Sequence, residues 1–360
     1  MKKILIKTSS FLGVHSSSAE IHTTISFLHF LRKDFYCQIT GMREGPEELT
    51  PFLSFRAWNY LKFPSFLCKI LHLPMGIVDT FKAVKYSRPD ILFCLGGVFY
   101  NGLAIVLAGK FFDIPSVVRT AEDHYQTAQL QKKILEWLLH KWIKLPLSIW
   151  VLKNADYVLT VGVESKGYFE KKLGREVSYI VSPISDIFSD NSILKQSVRM
   201  KKALLYVGSI SNTKGTQKVV EVFKKLSLQD PDWRMTFIGQ NIDLKEFDDF
   251  LDCHPNATFI NSLPNNELAE YYLSHSCLIF SAAVGVGYGL VTLEALKCKC
   301  PVLVINPKLD VKYLHEFQAE NINDAVQMLK SENYPLTQVP TFFELGNIEL
   351  QTKEFFDGIK

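Results

Sequence analysis

Apolar positions along the chain follow two alternating patterns, which together predict a layered α/β protein. Short runs without polar alternation, such as KILIK at 3–7, are typical of strands that are buried on both faces. Longer stretches between them have the apolar spacing of helices. In the first half, strands are predicted at 3–7, 36–40, 90–96, 116–120, 157–162 and 177–181, and helices near 19–32, 78–86, 100–111, 126–153 and 164–173. This order predicts a parallel sheet with helices on either side.

The alternation restarts after a polar stretch at 182–202. Strands are predicted there at 203–208, 235–239, 258–261, 277–282 and 301–305, and helices from 214 and at 243–251, 265–274, 289–298, 321–331 and 345–358. We therefore expect two doubly wound, Rossmann-like domains that face each other across a cleft. Residues 1–182 form the first domain in this prediction, 183–340 the second, and 341–360 a C-terminal helix that returns to the first.

Composition agrees with a globular chain that has two cores. The 360 residues are 47% hydrophobic and 21% charged. The cysteines number seven and lie mostly in apolar runs, which favours buried thiols in a reducing compartment over a disulfide framework. Cys298 and Cys300 lack the neighbouring ligands of a zinc site. MKKILIKTSS has too short an apolar run for a signal peptide, and no segment has the roughly 18–20 apolar residues of a membrane span.

The net charge of +3 conceals a contrast between the halves. Residues 1–180 carry a net charge of +8, and residues 181–360 a net charge of −5. The basic half also holds two segments rich in Trp, Phe and Leu, at 56–75 and 134–153. Lysines interleaved with aromatics suit an anionic membrane surface, although an amphipathic helix packed on its own domain would have the same pattern. A nucleic-acid partner is not expected, because no motif for one accompanies the charge.

The loop after the strand at 203–208 carries the first candidate chemistry. It runs from Gly208 and Ser209 to Lys214 and then opens a helix. A helix N-terminus attracts an anion through its amides and dipole, and a lysine adds a full positive charge. The loop therefore suits a phosphate, although the spacing of a P-loop is absent. An ordinary capped helix with a solvated lysine is the alternative.

A second candidate is GVGYGLVTLEAL at 285–296. Its glycines allow a diphosphate to approach the first turn of the following helix, and Glu294, one turn further, can accept hydrogen bonds from ribose hydroxyls. Glycines selected for tight packing between a helix and a strand would give the same pattern. The fingerprint of a nicotinamide-dependent oxidoreductase is missing after the first strand.

These loops resemble the retaining glycosyltransferases of family 4 (group 1), which have the GT-B fold. The resemblance is carried by LLYVGSISNTKGTQKVVEVFKKL, LPNNELAEYYLSHSCLIFSA and GYGLVTLEALKCKCPVLV, and it extends over most of 203–305. The first half agrees more loosely, through PDILFCLGG, DIPSVVRTAEDH and NADYVLTVGVESKGYFEKKLG.

The resemblance implies a role for each matching residue. A nucleotide-diphosphate sugar would bind mainly to the second domain, where Lys214 contacts the diphosphate and Glu294 holds the ribose. The backbone amides that cap the diphosphate would be those of Gly289, Leu290 and Val291, next to Gly208, Ser209 and Gly287. No cofactor or metal is implied, because these groups supply the positive potential and no D-x-D motif is apparent.

Three departures from the family pattern bear on activity. Ser209 stands where the family usually has arginine, for which Arg119 and Lys218 are possible substitutes. Val286 stands where the family has a glutamate that faces the donor sugar. Where the family commonly has His or Gly together with Asp, this chain has Glu122 and Asp123. These two residues could orient an acceptor hydroxyl or simply cap a helix.

The sequence therefore predicts a metal-independent retaining glycosyltransferase at the cytoplasmic face of the membrane. Its donor would be a UDP- or GDP-sugar, and its acceptor a lipid-linked glycan or a surface polysaccharide. Ser209 and Val286 motivate the alternative of a catalytically silent relative that binds nucleotide sugars or acts as a scaffold.

Overall fold

The chain divides into two compact units. The first comprises Met1–Pro183 and Phe342–Lys360, and the second comprises Ile184–Thr341. The computed structural model describes residues 1–7, 27–40, 53–55, 65–121, 138, 140–189, 199–212, 214–241, 244, 246–261, 263–281, 288–307 and 309–360. Among the helices formed by these residues, none is both long and apolar enough to cross a bilayer.

A seven-stranded parallel sheet forms the centre of the first unit. Its strands are β1 (Lys3–Lys7), β2 (Tyr36–Thr40), β3 (Leu53–Phe55), β4 (Ile91–Cys94), β5 (Ser116–Arg119), β6 (Tyr157–Thr160) and β7 (Ser178–Tyr179), in the order β3-β2-β1-β4-β5-β6-β7. Every residue of β4 and β5 is buried, as expected for central strands that are covered on both faces. The strand order reverses direction between β1 and β4.

Helices connect these strands. They are α1 (Ser65–Ser87), α2 (Leu103–Phe112), α3 (Leu145–Asn154) and α4 (Val163–Leu173), with π-helical turns at Val98–Gly102 and His140–Lys144 and a further helical segment at 27–34. The predicted helix at 78–86 was too short, because α1 begins at Ser65 and contains Pro74. A proline inside a helix removes a backbone hydrogen-bond donor, so a proline in the sequence predicts a helix boundary.

The C-terminal helix, α11 (Leu345–Asp357), belongs to the first unit, which confirms that the chain end returns there. Phe356 is fully buried, and its ring centroid lies 6.0 Å from that of Phe35 and 5.2 Å from that of Phe93. Lys2 Nζ donates to the carbonyl oxygens of Asp357 (3.0 Å) and Ile359 (2.7 Å). The two ends of the chain therefore lie together at the amino edge of the first sheet.

The second unit has a six-stranded parallel sheet. Its strands are β8 (Ala203–Val207), β9 (Arg234–Ile238), β10 (Ala257–Ile260), β11 (Cys277–Ser281), β12 (Val302–Ile305) and β13 (Gln318–Ala319), in the order β10-β9-β8-β11-β12-β13. Its helices are α5 (Thr216–Gln229), α6 (Phe247–Cys253), α7 (Asn265–Ser274), α8 (Leu290–Lys297), α9 (Leu309–Leu314) and α10 (Ile322–Lys330), with 3₁₀ turns at Asp186–Ser189 and Thr341–Phe343. Its strand order reverses between β8 and β11.

Helix α5 shows how the sequence directs this packing. Val219, Val222, Phe223 and Leu226 recur three and four residues apart, and all are buried. They form part of a core that also contains Trp233. The amphipathic stripe thus fixes α5 against the sheet, and the N-terminus of α5 lies after the carboxyl end of β8.

The two doubly wound sheets confirm the predicted fold class, and two strands went unpredicted. β3 and β13 are edge strands of three and two residues. Such short strands have too few positions for a buried-strand pattern to emerge, and they depend on pairing with β2 and β12.

Candidate functional site

The candidate site lies at the carboxyl ends of β8 and β11, where the strand order of the second sheet reverses. Open α/β sheets bind ligands at such switch points. The loop after β8 begins at Gly208 (φ 145°), and a Cβ on the neighbouring Gly239 would overlap the carbonyl oxygen of Gly208. Glycine at both positions therefore lets two strand ends approach each other closely.

Hydrogen bonds hold this loop in one shape. The Tyr206 hydroxyl donates to the Ser209 carbonyl oxygen (3.0 Å) and lies 2.9 Å from Thr216 Oγ1. Burial raises the pKa of Tyr206 to about 12, so it keeps its donor proton. Thr216 Oγ1 also accepts from the amide of Ser211 (3.1 Å), and Ser211 Oγ accepts from the amide of Lys214 (3.3 Å). The Lys214 side chain is exposed at the end of this fixed loop.

Gly215 joins the loop to β11. It adopts a left-handed conformation (φ 69°), and a Cβ there would lie 2.5 Å from Ser281 Oγ and 3.1 Å from Ser281 Cβ. Ser281 is the last residue of β11 and is buried. The lysine loop therefore packs against the strand from which the second candidate segment departs.

The start of α8 is the second part of the site. Gly289 precedes the helix with φ 73°, and a Cβ on it would lie 2.9 Å from the Phe280 ring. In the described part of the chain, the amides of Gly289, Leu290 and Val291 have no hydrogen-bond acceptor. Unpaired amides at the positive end of a helix dipole favour an anion.

Thr292 and His315 support this turn, and the sequence pattern did not reveal either. Thr292 Oγ1 donates to the carbonyl oxygens of Tyr288 (2.8 Å) and Gly289 (2.9 Å), while His315 Nε2 lies 3.0 Å from the same hydroxyl. Burial lowers the pKa of His315 to about 4, so the imidazole is neutral at physiological pH. A neutral Nε2–H can donate to Thr292, which then orients the carbonyl groups before α8.

Glu294 lies one turn inside α8, where the Tyr272 hydroxyl donates to its Oε2 (3.0 Å). Burial raises the pKa of Glu294 to about 7, against the opposing effect of the Tyr272 hydrogen bond. Arg199 supports this pair, because its Nη1 donates to the carbonyls of Tyr272 (2.8 Å) and His275 (2.7 Å) and its Nη2 to that of Cys298 (3.0 Å). Near neutral pH this carboxyl is therefore poised between its two forms.

The structure places the predicted residues that it describes in the second unit on two segments, which follow the carboxyl ends of β8 and β11. Gly208, Ser209 and Lys214 lie on one loop, and Gly289, Leu290, Val291 and Glu294 lie at the start of α8. The other four predicted site residues, Val286, Gly287, Glu122 and Asp123, lie outside the described residues. Lys218 is half-buried one turn into α5, while Arg119 belongs to the first unit.

No metal or disulfide chemistry accompanies these loops in the part of the chain that the structure describes. No three His, Cys, Asp or Glu side chains converge there to hold a metal ion. Cys298 and Cys300 are free thiols, and burial raises their pKa values to about 12 and 11 respectively.

Comparisons with known proteins find similarity to glycosyltransferases. Residues 190–333 match the family described as glycosyl transferases group 1. An uncharacterized glycosyltransferase of Haemophilus influenzae is 27% identical over 204 residues, which are 54% of this chain and 55% of that protein. The serotype-specific mannosyltransferase WbdA of Escherichia coli is 24% identical over 160 residues, which are 43% of this chain and 19% of that protein. The chain thus spans about half or less of these relatives.

A similarity of fold covers the whole chain. The crystal structure of Anabaena Alr3699/HepE in complex with UDP-glucose superposes with a TM-score of 0.74 at 12% identity, over 100% of both chains. Residues 190–333, within the second unit, are therefore similar to the group 1 glycosyltransferases, and the chain has the two-domain GT-B fold.

Proposed function

We propose that this protein is a metal-independent, retaining glycosyltransferase that uses a UDP- or GDP-sugar. One observation carries the proposal: the Lys214 loop and the start of α8 both pack against the carboxyl end of β11, through Gly215 against Ser281 and Gly289 against Phe280. In the described part of the chain, the amides of Gly289, Leu290 and Val291 have no acceptor. A cation and a helix N-terminus beside each other suit a diphosphate better than a single phosphate. Glu294, one turn away, suits the ribose.

In the proposed reaction, the bond between the anomeric carbon and the diphosphate oxygen breaks. Negative charge accumulates on the leaving diphosphate, where Lys214 and the amides of Gly289, Leu290 and Val291 stabilise it. The acceptor oxygen bonds to the same face of the sugar, and its proton passes to the leaving diphosphate. Preorganised positive potential is the main contribution of this chain to the rate in this mechanism.

The acceptor that we propose is a lipid-linked glycan or a surface polysaccharide. A serotype-specific mannosyltransferase among the relatives supports this class. Glu122 or Asp123 would orient the acceptor hydroxyl. UDP is the first nucleotide to test, because the Anabaena protein of similar fold was crystallised with UDP-glucose.

A panel of nucleotides tests the donor assignment. We expect UDP or GDP, and the matching nucleotide sugars, to raise the melting temperature of the protein by a few degrees, since a ligand at about 100 times its Kd adds about 2.7 kcal/mol to stability. AMP and inorganic sulfate are the controls. A melting temperature that no nucleotide diphosphate changes would overturn the proposal.

An assay of sugar transfer distinguishes an active enzyme from a catalytically silent relative. Ser209, where the family usually has arginine, is half-buried on the same loop as Lys214 and adds no positive charge. Release of nucleotide diphosphate from the bound sugar in the presence of membrane extract supports an enzyme. Binding without release would favour the silent relative.

An exposed aromatic face on the first unit supports contact with an anionic membrane at the cytoplasmic side. Trp142 (68% exposed) and Trp150 (36% exposed) lie eight residues apart on the continuous helix formed by 140–154, with Pro146 exposed between them. Lys141 and Lys153 are exposed on the same helix, and Lys110 Nζ lies 6.0 Å from the Trp150 ring. Tryptophan at the headgroups and lysine near anionic lipids both favour such contact.

Replacing both tryptophans by alanine should release the protein from vesicles. We expect wild-type protein to sediment with phosphatidylglycerol vesicles, and the Trp142→Ala, Trp150→Ala variant to lose about 10-fold or more in partitioning, because each ring buries a large apolar area. Leu228→Ala, at an exposed apolar position of the second unit, is the matched control. Equal sedimentation of the double variant and the wild type would rule out this face.

A further inference from the structure

The first unit has its own switch point, which the donor site does not use. Its strand order reverses between β1 and β4, and β5 lies next to β4. The carboxyl ends of these three strands are Lys7, Cys94 and Arg119. Ligands in doubly wound sheets bind outside such carboxyl ends. Two of these three strand ends carry a cation.

Arg119 is a buried cation with few partners. It is 5% exposed, and its Nη2 donates to Ser182 Oγ (2.6 Å) while its guanidinium carbon lies 4.9 Å from the centre of the Phe27 ring. Its Nε is buried without a hydrogen-bond acceptor in the described part of the molecule. Within those residues no carboxylate forms an ion pair with this guanidinium. A buried charge in this condition is costly, so it calls for a ligand or a partner to offset it.

Lys7 is the second cation at this edge. It is 3% exposed, and burial lowers its pKa to about 8, against the opposing effect of the charge on Asp79. Asp79 is also buried. Among the described groups, two buried cations are thus accompanied by one buried carboxylate. The excess positive charge favours an anion.

The loop after β4 lies between the strand ends that carry these two cations. Gly96 and Gly97 follow β4, and Gly97 has φ 70°. The Asn101 side chain donates to the Gly96 carbonyl oxygen (2.9 Å), and a Cβ on Gly97 would lie 2.9 Å from the nitrogen of that side chain. The left-handed conformation and this close approach therefore favour glycine at position 97.

We propose that Arg119 and Lys7 form an anion-binding subsite in the first unit, which takes the phosphate or diphosphate group of the acceptor. The proposal rests on the proposed function, because it narrows the acceptor to phosphorylated compounds such as lipid diphosphates. An arginine whose Nε has no acceptor among the described residues can donate to a phosphate oxygen, and its guanidinium matches phosphate in geometry as well as in charge. The anion would offset the charge that the first unit buries.

Titration with inorganic pyrophosphate, in the presence of saturating UDP, tests this subsite. UDP occupies the donor site of the second unit, so the remaining binding reports on the first. We expect Arg119→Met to weaken pyrophosphate binding by about 10- to 100-fold, as for loss of a charged hydrogen-bonding partner. Lys7→Met should weaken it by a similar factor. Arg88→Met, at an exposed arginine of the same unit, should leave it unchanged.

Two further readouts separate the possible failures. Without ligand, Arg119→Met should raise the melting temperature by about 2–4 °C if the buried charge is held at a cost to folding. A structural arginine would give a lower melting temperature in this variant. Arg119→Met should bind UDP with the same affinity as wild type, because Arg119 is not part of the donor site. If wild-type protein does not bind UDP, that result counts against the proposed donor site and not against the anion subsite. Unchanged pyrophosphate affinity in Arg119→Met would overturn the subsite.

Discussion

Lys214→Ala should lower kcat/KM by about 100-fold, in the range seen when one preorganised donor to a developing charge is removed. Lys214 is exposed at the end of a loop whose backbone is held by Tyr206, Ser211 and Thr216, so the loop needs little reorganisation when the diphosphate binds. Most of the loss should fall on kcat, since the charge on the diphosphate grows as the sugar bond breaks. Steady-state kinetics with the donor from the nucleotide panel would measure it.

Lys224→Ala is the matched control for this variant. Lys224 is an exposed lysine of α5, the helix that follows the loop, and it lies about two turns from the start of that helix. We expect its kcat/KM to stay within about twofold of wild type, since an exposed charge at that distance is screened by salt. Equal kcat/KM values for Lys214→Ala and wild type would remove Lys214 from the mechanism. Lys218→Ala would then be the next variant to test, because that side chain follows one turn later.

The lysine loop and the start of α8 could be predicted from the sequence because each is a local feature. A strand, glycines and a helix start follow one another within a few residues, as in the segments around Gly208 and Gly289. Parallel sheets bring their carboxyl ends to one edge, so two such segments are expected to be neighbours. In the structure both segments pack against the end of β11, with Gly215 against Ser281 and Gly289 against Phe280.

The groups that support the site could not be predicted, because they are distant in the chain. Tyr272 and Glu294 are 22 residues apart, and Thr292 and His315 are 23 apart. Nothing in either local pattern signals that these side chains meet. Only the packing of α7 and α8, and the return of the chain after β12, brings them within hydrogen-bond distance. The burial that shifts the pKa of Glu294 has the same origin.

That shift makes the stability of the fold depend on pH. The folded-state pKa of Glu294 is about 7, above the ordinary value of 4.5, so between these values the folded state binds the additional proton. Stability from this group is fully present below pH 4.5 and is lost as pH rises through 7. The difference corresponds to an upper bound of about 3 kcal/mol. Nucleotide binding needs the ionised form of Glu294, because a carboxylate accepts hydrogen bonds from ribose hydroxyls.

Glu294→Gln should therefore stabilise the free protein at pH 8 and weaken nucleotide binding. Glutamine still accepts the Tyr272 hydrogen bond but carries no charge, so we expect a gain of about 1–3 kcal/mol in the free energy of unfolding at pH 8 and none at pH 4.5. Urea denaturation at both pH values would measure it. Glu270→Gln, an exposed position on α7, is the control and should change stability by less than about 0.5 kcal/mol.

The same variant should change how nucleotide binding depends on pH. In the wild type, affinity for UDP-glucose should rise about 10-fold between pH 6 and 8, as Glu294 loses its proton through its pKa of about 7. UDP-glucose is the suitable probe because its terminal phosphate is esterified to glucose and does not titrate near pH 6. The free terminal phosphate of UDP has a second pKa of about 6, which would add its own dependence. Glu294→Gln should bind it more weakly at pH 8, with a flat profile. A rise of equal size in the variant would assign the titration to another group and leave Glu294 without a role at the ribose.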